Sequence, residues 1–106
     1  MLTIDDFKKV EMIVVEIKEA DFHPDADRLL ILKVDTGEEI RPLVAGIRSN
    51  YAPEDLIGRR VIIVKNLEPA TIRGQESQGM ILAVSDENGP AVLTPDRDVA
   101  LGSPVR

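Results

Sequence analysis

Apolar and polar residues alternate with a period of two along much of this chain, and the places where the alternation stops mark its turns. From Val10 to Ala20 the residues are β-branched at the centre, and at the far end Val15 and Ile17 alternate with Glu16 and Lys18, which predicts a long first strand. The segment Asp21-Phe22-His23-Pro24-Asp25-Ala26-Asp27 cannot continue it. Proline removes a ladder donor, restricts the residue before it, and sits here among turn-forming aspartates, so this stretch is read as a loop. Leu29 to Asp35 and Glu39 to Ala45 then flank Thr36-Gly37-Glu38, a short turn whose glycine can take positive φ, and together they predict a β-hairpin. Pro42 puts the return strand at an edge or a bulge.

Ahead of the first strand, Thr3-Ile4-Asp5-Asp6 has the spacing of a capping box, with Asp in place of the usual Glu, and predicts a helix of one or two turns carrying Phe7 and Val10. Tyr51 to Gly58 has proline near a first helical position and glycine after the last apolar residue, which predicts a second short helix. Arg59 to Leu67 holds four consecutive β-branched residues between basic flanks, Met80 to Val84 follows, and Ala91-Val92-Leu93 comes after the turn Asp86 to Pro90. Five principal strands in 106 residues predict a single all-β domain. Closing the sheet on itself hides edges that such apolar strands would otherwise expose, and a five-stranded oligonucleotide/oligosaccharide-binding barrel (OB-fold) with short flanking helices fits best.

Composition narrows the chemistry. There is no cysteine and only one histidine, His23, so neither a thiol nucleophile nor a Cys- or His-based metal cage can be built, and no metal or cofactor is expected. G-x-S-x-G, G-x-x-x-x-G-K-[ST] and G-x-G-x-x-G are all missing, which leaves no hydrolase or nucleotide fingerprint and points to a binding module. No apolar run suits a membrane span and no signal peptide opens the chain, so a cytoplasmic setting is expected. Net charge is −6, which argues against a polyanionic partner until its distribution is considered. Residues 1–40 carry 5 basic and 11 acidic side chains, residues 41–80 carry 6 and 4, and residues 81–106 carry 2 and 4. An anion site therefore belongs to the middle third. Phe7, Phe22 and Tyr51 are too few for a base-stacking platform, so a nucleic acid would be read by shape and backbone.

The strings Phe7-Lys8-Lys9-Val10-Glu11, His23-Pro24-Asp25-Ala26-Asp27-Arg28-Leu29, Val44-Ala45-Gly46-Ile47, Asn66-Leu67-Glu68-Pro69, Arg73-Gly74-Gln75-Glu76-Ser77-Gln78-Gly79-Met80 and Pro95-Asp96-Arg97-Asp98-Val99 resemble, in this order and over essentially the whole chain, the tRNA-binding domain family. That family includes the C-terminal extension or beta subunit of methionyl-tRNA synthetase and stand-alone structure-specific tRNA-binding proteins. The resemblance implies an OB-fold homodimer that grips the outside corner of folded tRNA without reading sequence. It places tRNA-binding residues at Asn66, Arg73, Ser77 and Met80, with Lys65 and Arg48 as supporting cations. An arginine fork suits phosphate, while Asn66 and Ser77 suit phosphate or 2′-hydroxyl oxygens. Each has a plainer alternative: Met80 filling the core, Ser77 ordering its loop, Asn66 satisfying nearby backbone. Arg73 is expected to have no intramolecular role.

Five positions depart from the family's pattern. Relatives often carry cations between Asn-Leu and Arg-Gly, where this chain has Glu68, Ala70 and Thr71, and Ile13 and Val15 stand where an arginine and a small residue are usual. Three functions stay open: a tRNA-binding module, alone or serving a methionyl-tRNA synthetase catalytic domain; a peptide-binding chaperone of the family's secretion-related branch; or a dimerisation module that has lost RNA affinity. Exposed apolar ends (Leu2, Ile4, Phe7, Val99, Leu101, Val105) would supply the dimer contact.

Overall fold

In the computed structural model, which describes all 106 residues, the alternating strands close on their apolar faces. In chain order the elements are α1 (Ile4–Phe7), β1 (Met12–Phe22), β2 (Leu30–Asp35), β3 (Ile40–Ala45), α2 (Pro53–Leu56), β4 (Arg60–Val64), β5 (Ala70–Ile72), β6 (Gln75–Ser77), β7 (Met80–Ile81), β8 (Ala83–Asp86), β9 (Gly89–Val92) and β10 (Pro104–Val105). The main sheet runs β3-β2-β1-β4-β7, antiparallel throughout, with β10 added to the start of β1. It is the expected nearly closed five-stranded barrel. No helix is long and apolar enough to cross a membrane.

The core follows from side-chain parity. Ile13, Val15 and Ile17 of β1 meet Leu30, Leu32 and Val34 of β2, Leu43 and Ala45 of β3, Val61 and Ile63 of β4, and Ile81 of β7, all buried, while α2 plugs the barrel with Leu56. A register shift between Ile17 and Glu19 leaves Lys18 out of the pairing with β2, and this bulge turns Ala20 toward the core. An arginine contact from β1 is therefore not available: Ile13 and Val15 are core residues.

The capping box forms as predicted. Thr3 Oγ1 accepts from Asp6 N at 3.1 Å and Asp6 Oδ2 accepts from Thr3 N at 3.2 Å. The strand predicted over residues 80–84 is divided, with Leu82 between β7 and β8, so that β8 pairs with β9 outside the barrel. The larger difference lies between Asn66 and Met80. This stretch reads as a loop, yet it contains a second hairpin, β5–β6, in which Ile72 pairs with Gln75 across Arg73-Gly74.

That hairpin closes the barrel. β3 is the last strand of its sheet, as Pro42 suggested, and its outer edge leaves the Pro42 carbonyl and the Val44 amide without ladder partners. Gln78 N donates to Pro42 O at 2.8 Å, and Ser77 Oγ accepts from Val44 N at 3.0 Å. Gly79 lets the chain pass: its φ is +133°, and a Cβ there would stand 2.8 Å from Val64 O and 3.3 Å from Leu43 Cδ2. Gly79→Ala should accordingly lower stability by about 1–3 kcal/mol from backbone strain alone, measured by chemical denaturation.

Candidate nucleic-acid interface

In an OB barrel the connections between the first two and last two barrel strands flank the ligand. Here they are the 23–29 loop and the residues from Lys65 to Gly79 that contain the β5–β6 hairpin. The two are tied together. His23, 2% exposed, accepts from Asp25 N through Nδ1 at 3.0 Å, which leaves Nε2 to carry the hydrogen it shares with Ile72 O at 3.2 Å. One ring thus shapes the loop and fixes the hairpin beside it. Arg73 Nη2 donates to Asp25 O at 2.7 Å, so this arginine does have an intramolecular partner, contrary to the sequence expectation.

The hairpin turn itself is unusual. Arg73 and Gly74 have φ of +52° and +86°, the signature of a type I′ turn, and Arg73 is the one non-glycine residue of the chain with positive φ. Asn or Asp normally occupies that position, because an L residue with a longer side chain costs about 1–2 kcal/mol there.

Three cations gather at this end of the barrel. Arg48 Nη1 donates to Ala26 O at 3.3 Å, Arg48 N donates to Arg28 O, and the Arg48 guanidinium stands 4.3 Å from the centroid of the Phe22 ring. Arg28, Arg48 and Arg73 form no ion pair, unlike Lys9, Lys18, Lys33, Arg41 and Arg60. The fixed partners of Arg48 and Arg73 are carbonyl oxygens and an aromatic face, so their charge is not cancelled. Phe22 is 49% exposed beneath Arg48. Neither Phe22 nor Arg28 stood among the sequence candidates; the Arg48–Phe22 pairing spans 26 residues and leaves no local signal.

The remaining candidates are spread out. Asn66 accepts from Glu11 N at 2.8 Å and donates to Lys9 O at 2.6 Å, holding the segment before β1; the backbone it satisfies is remote in sequence, not local. Lys65 lines an apolar groove at the termini rather than the loop cleft. Ser77 is 3% exposed and spends its hydroxyl hydrogen on Gly79 O at 3.0 Å, which makes it scaffold. Met80 is 48% exposed, so it does not fill the core. Arg41, absent from the candidates, donates from Nη1 to both Lys65 O (2.9 Å) and Gln78 O (3.5 Å) and so clamps the two ends of the hairpin segment. Below the hairpin, on the face of β1, β2 and β3, a groove of about 250 Å³ is bordered by Glu19, Asp21 and Glu76 against Lys33 alone.

The site is thus part of a small OB-like barrel whose two flanking connections are locked together beside arginines that form no ion pair. The chain belongs to the family described as "Putative tRNA binding domain", which matches residues 12–104. It is 49% identical over 105 residues to the methionine–tRNA ligase of Thermococcus kodakarensis, covering 99% of this chain and 14% of that protein. The chain thus spans about a seventh of the length of such relatives. Among solved structures, a MetRS-related protein from Pyrococcus horikoshii superposes with a TM-score of 0.93 at 34% identity, over 100% of this chain and 98% of that one. The CsaA chaperone protein from Picrophilus torridus superposes with a TM-score of 0.93 at 28% identity, over 100% of both chains.

Ser77 allows scaffold and ligand roles to be separated. Ser77→Ala leaves the buried Val44 amide without an acceptor and should destabilise the protein by about 1–3 kcal/mol, read from the denaturation midpoint.

Proposed function

We propose that this chain binds folded tRNA through shape and backbone contacts, as a non-catalytic cytoplasmic module that works as a homodimer. Arg73 and Arg48 are its principal phosphate contacts, with Arg28 beside them and the exposed Met80 offering apolar contact at the base of the hairpin segment, while Lys65 stands apart at the terminal groove. Asn66 and Ser77 hold the segments that carry these contacts. The observation that supports this most is the strained placement of Arg73, an arginine with φ of +52° at the tip of a turn that would accept Asn at lower cost. Retained strain of this kind accompanies residues kept for what they touch. Serving a methionyl-tRNA synthetase catalytic domain, the module would raise the local concentration of tRNA rather than perform chemistry.

Dimerisation has its own support. Ile4, Phe7, Val10, Ile13 and Val105 line a groove of about 470 Å³ where the N- and C-terminal segments meet, and Ile4 is 68% exposed. Val99 and Leu101, expected in the same patch, are half-buried and lie outside this groove.

Four experiments test the reading. Arg73→Asn keeps the turn and relieves its strain, so filter binding should show tRNA affinity reduced by roughly tenfold with the melting temperature unchanged or raised. Glu68→Lys, at an exposed position before β5, should tighten binding and steepen its salt dependence by about one unit, whereas Lys at position 71 would face Glu76 across the hairpin. Unstructured RNA of equal length should compete poorly; equal competition, or binding of unfolded peptide with no binding of tRNA, favours the chaperone reading instead. Light scattering should give twice 11.7 kDa, and Ile4→Asp with Phe7→Asp should return the monomer mass.

A further inference from the structure

At the start of β4 the surface opens into another pocket, of about 420 Å³, with no hydrophobic residue in its lining. Arg59, Arg60 and Arg97 border it with Glu16, Asp98 and Gly58. The three arginines are held differently. Arg60 is committed to the fold: Nε lies 3.7 Å from Glu16 Oε1, and Nη1 donates to the Val99 carbonyl. Glu16 also receives Lys18, whose Nζ is 3.0 Å from Oε2. That hydrogen bond, with the charge of Glu16 behind it, raises the Lys18 pKa above its usual 10.5 and keeps the ammonium charged. Two cations therefore answer the one carboxylate.

Arg59 and Arg97 are left over. Arg59 makes no ion pair; its guanidinium carbon stands 5.5 Å from the Tyr51 ring centroid, and Tyr51 is itself fixed by accepting from Val92 N at 3.1 Å. Arg97 donates to the Asp98 carbonyl at 3.1 Å and to no carboxylate. The backbone under them is rigid, since Gly58 N donates to Ile17 O at 2.8 Å and Ile17 N donates to Arg59 O at 2.9 Å. Gly58 takes φ of +89°, and a Cβ added to it would meet nothing within 4 Å, so a ligand can come down onto the chain there.

The lining selects the ligand. A pocket with no aromatic or hydrophobic residue in its lining offers nothing to a base or an acyl chain. Guanidinium forks match the paired oxygens of a phosphate. We propose that this pocket binds an RNA backbone phosphate as a second contact, with Arg59 and Arg97 as its ligands and Arg60 as their support. It lies about 20 Å along β1 from the loop cleft, the reach of the six steps from Glu16 to Phe22. Asp98 tempers the site's charge. The proposal rests on the RNA-binding reading above, and its test separates the two.

Arg59→Ala with Arg97→Ala is compared with the unaltered protein in two titrations. With folded tRNA across a salt series, the slope should fall by about 0.7–0.9 units, additively with Arg73→Asn, and Asp98→Asn alone should raise affinity. With inorganic pyrophosphate, amide NMR signals of Gly58, Arg59 and Arg97 should shift in the unaltered protein, and the shifts at Gly58 and its neighbours should vanish in the double variant. An unchanged tRNA slope alongside intact pyrophosphate shifts overturns the RNA contact and leaves a site for free phosphate. Absence of both effects overturns the pocket altogether. If the unaltered protein binds no tRNA, the RNA-binding reading fails while the pyrophosphate titration still decides whether the pocket takes phosphate. Arg97→Glu, in an exposed loop, serves as the control if loss of the Arg59–Tyr51 contact lowers stability: it should reproduce the weaker binding with the melting curve unchanged, and unaltered binding would count against the site.

Discussion

The open edge of β3 is the constraint on which the arrangement depends. A five-stranded barrel must cover that edge, and Pro42 denies it an ordinary ladder partner. The covering comes from Ser77 and Gln78, which reach the Val44 amide and the Pro42 carbonyl at 3.0 and 2.8 Å. Because residues 70–77 form a hairpin ending in Ser77, closing the barrel also lays that hairpin beside β3, and its tip arrives against the 23–29 loop. The same contacts that complete the fold thus carry Arg73 to Arg48 and Arg28. Gly79 is the point where this path turns back into β7, hence the close approach of its α-carbon to Val64 O and Leu43.

Charge in this protein is arranged by place rather than by total. A net charge of −6 opposes a polyanion only if the carboxylates stand within reach, and exposed charges farther apart than about 8–10 Å are largely screened at physiological salt. Carbonyl oxygens and aromatic rings, instead of carboxylates, hold Arg48, Arg59 and Arg73 in position. Such partners orient a guanidinium while leaving its charge for a ligand. Lys18, Lys33, Arg41 and Arg60, by contrast, are balanced by Glu16, Glu19 and Glu39 and belong to the surface of the fold.

The barrel was legible because its signals are local. Alternation at residues 13–17, the β-branched run at 61–64, the Thr36–Glu38 turn and the Thr3–Asp6 box each declare themselves within a few residues, and each is present in the structure. The β5–β6 hairpin was not, since its strands are three residues long with only one buried residue, and its turn uses Arg-Gly where Asn-Gly is the recognisable pair. What the site residues do was harder still to read. The partners of Asn66 lie 55 and 57 residues away, and that of Arg73 lies 48 away. Residue type names the chemistry of these side chains without naming their partners: Asn66 and Ser77 hydrogen-bond to oxygens and amides of the chain itself.

The acidic groove bordered by Glu19, Asp21 and Glu76 sets a limit on how RNA can lie. It occupies the strand face beside the hairpin, the surface on which an OB barrel commonly spreads its ligand, and a phosphate backbone there would meet three carboxylates for one lysine. On the proposed reading, RNA would be confined to contacts at the loop tips and at the Arg59–Arg97 pocket, with the strand face left out. A footprint of a few separated phosphates binds weakly and tolerates any sequence, because nothing along the intervening face reads a base. Weak, spaced contacts select instead for a partner rigid enough to present its phosphates at the right separation, which a folded RNA does and a flexible strand does only at an entropic cost. A second copy joined through the apolar terminal groove would double those contacts at fixed geometry, so affinity would come from rigidity and number together.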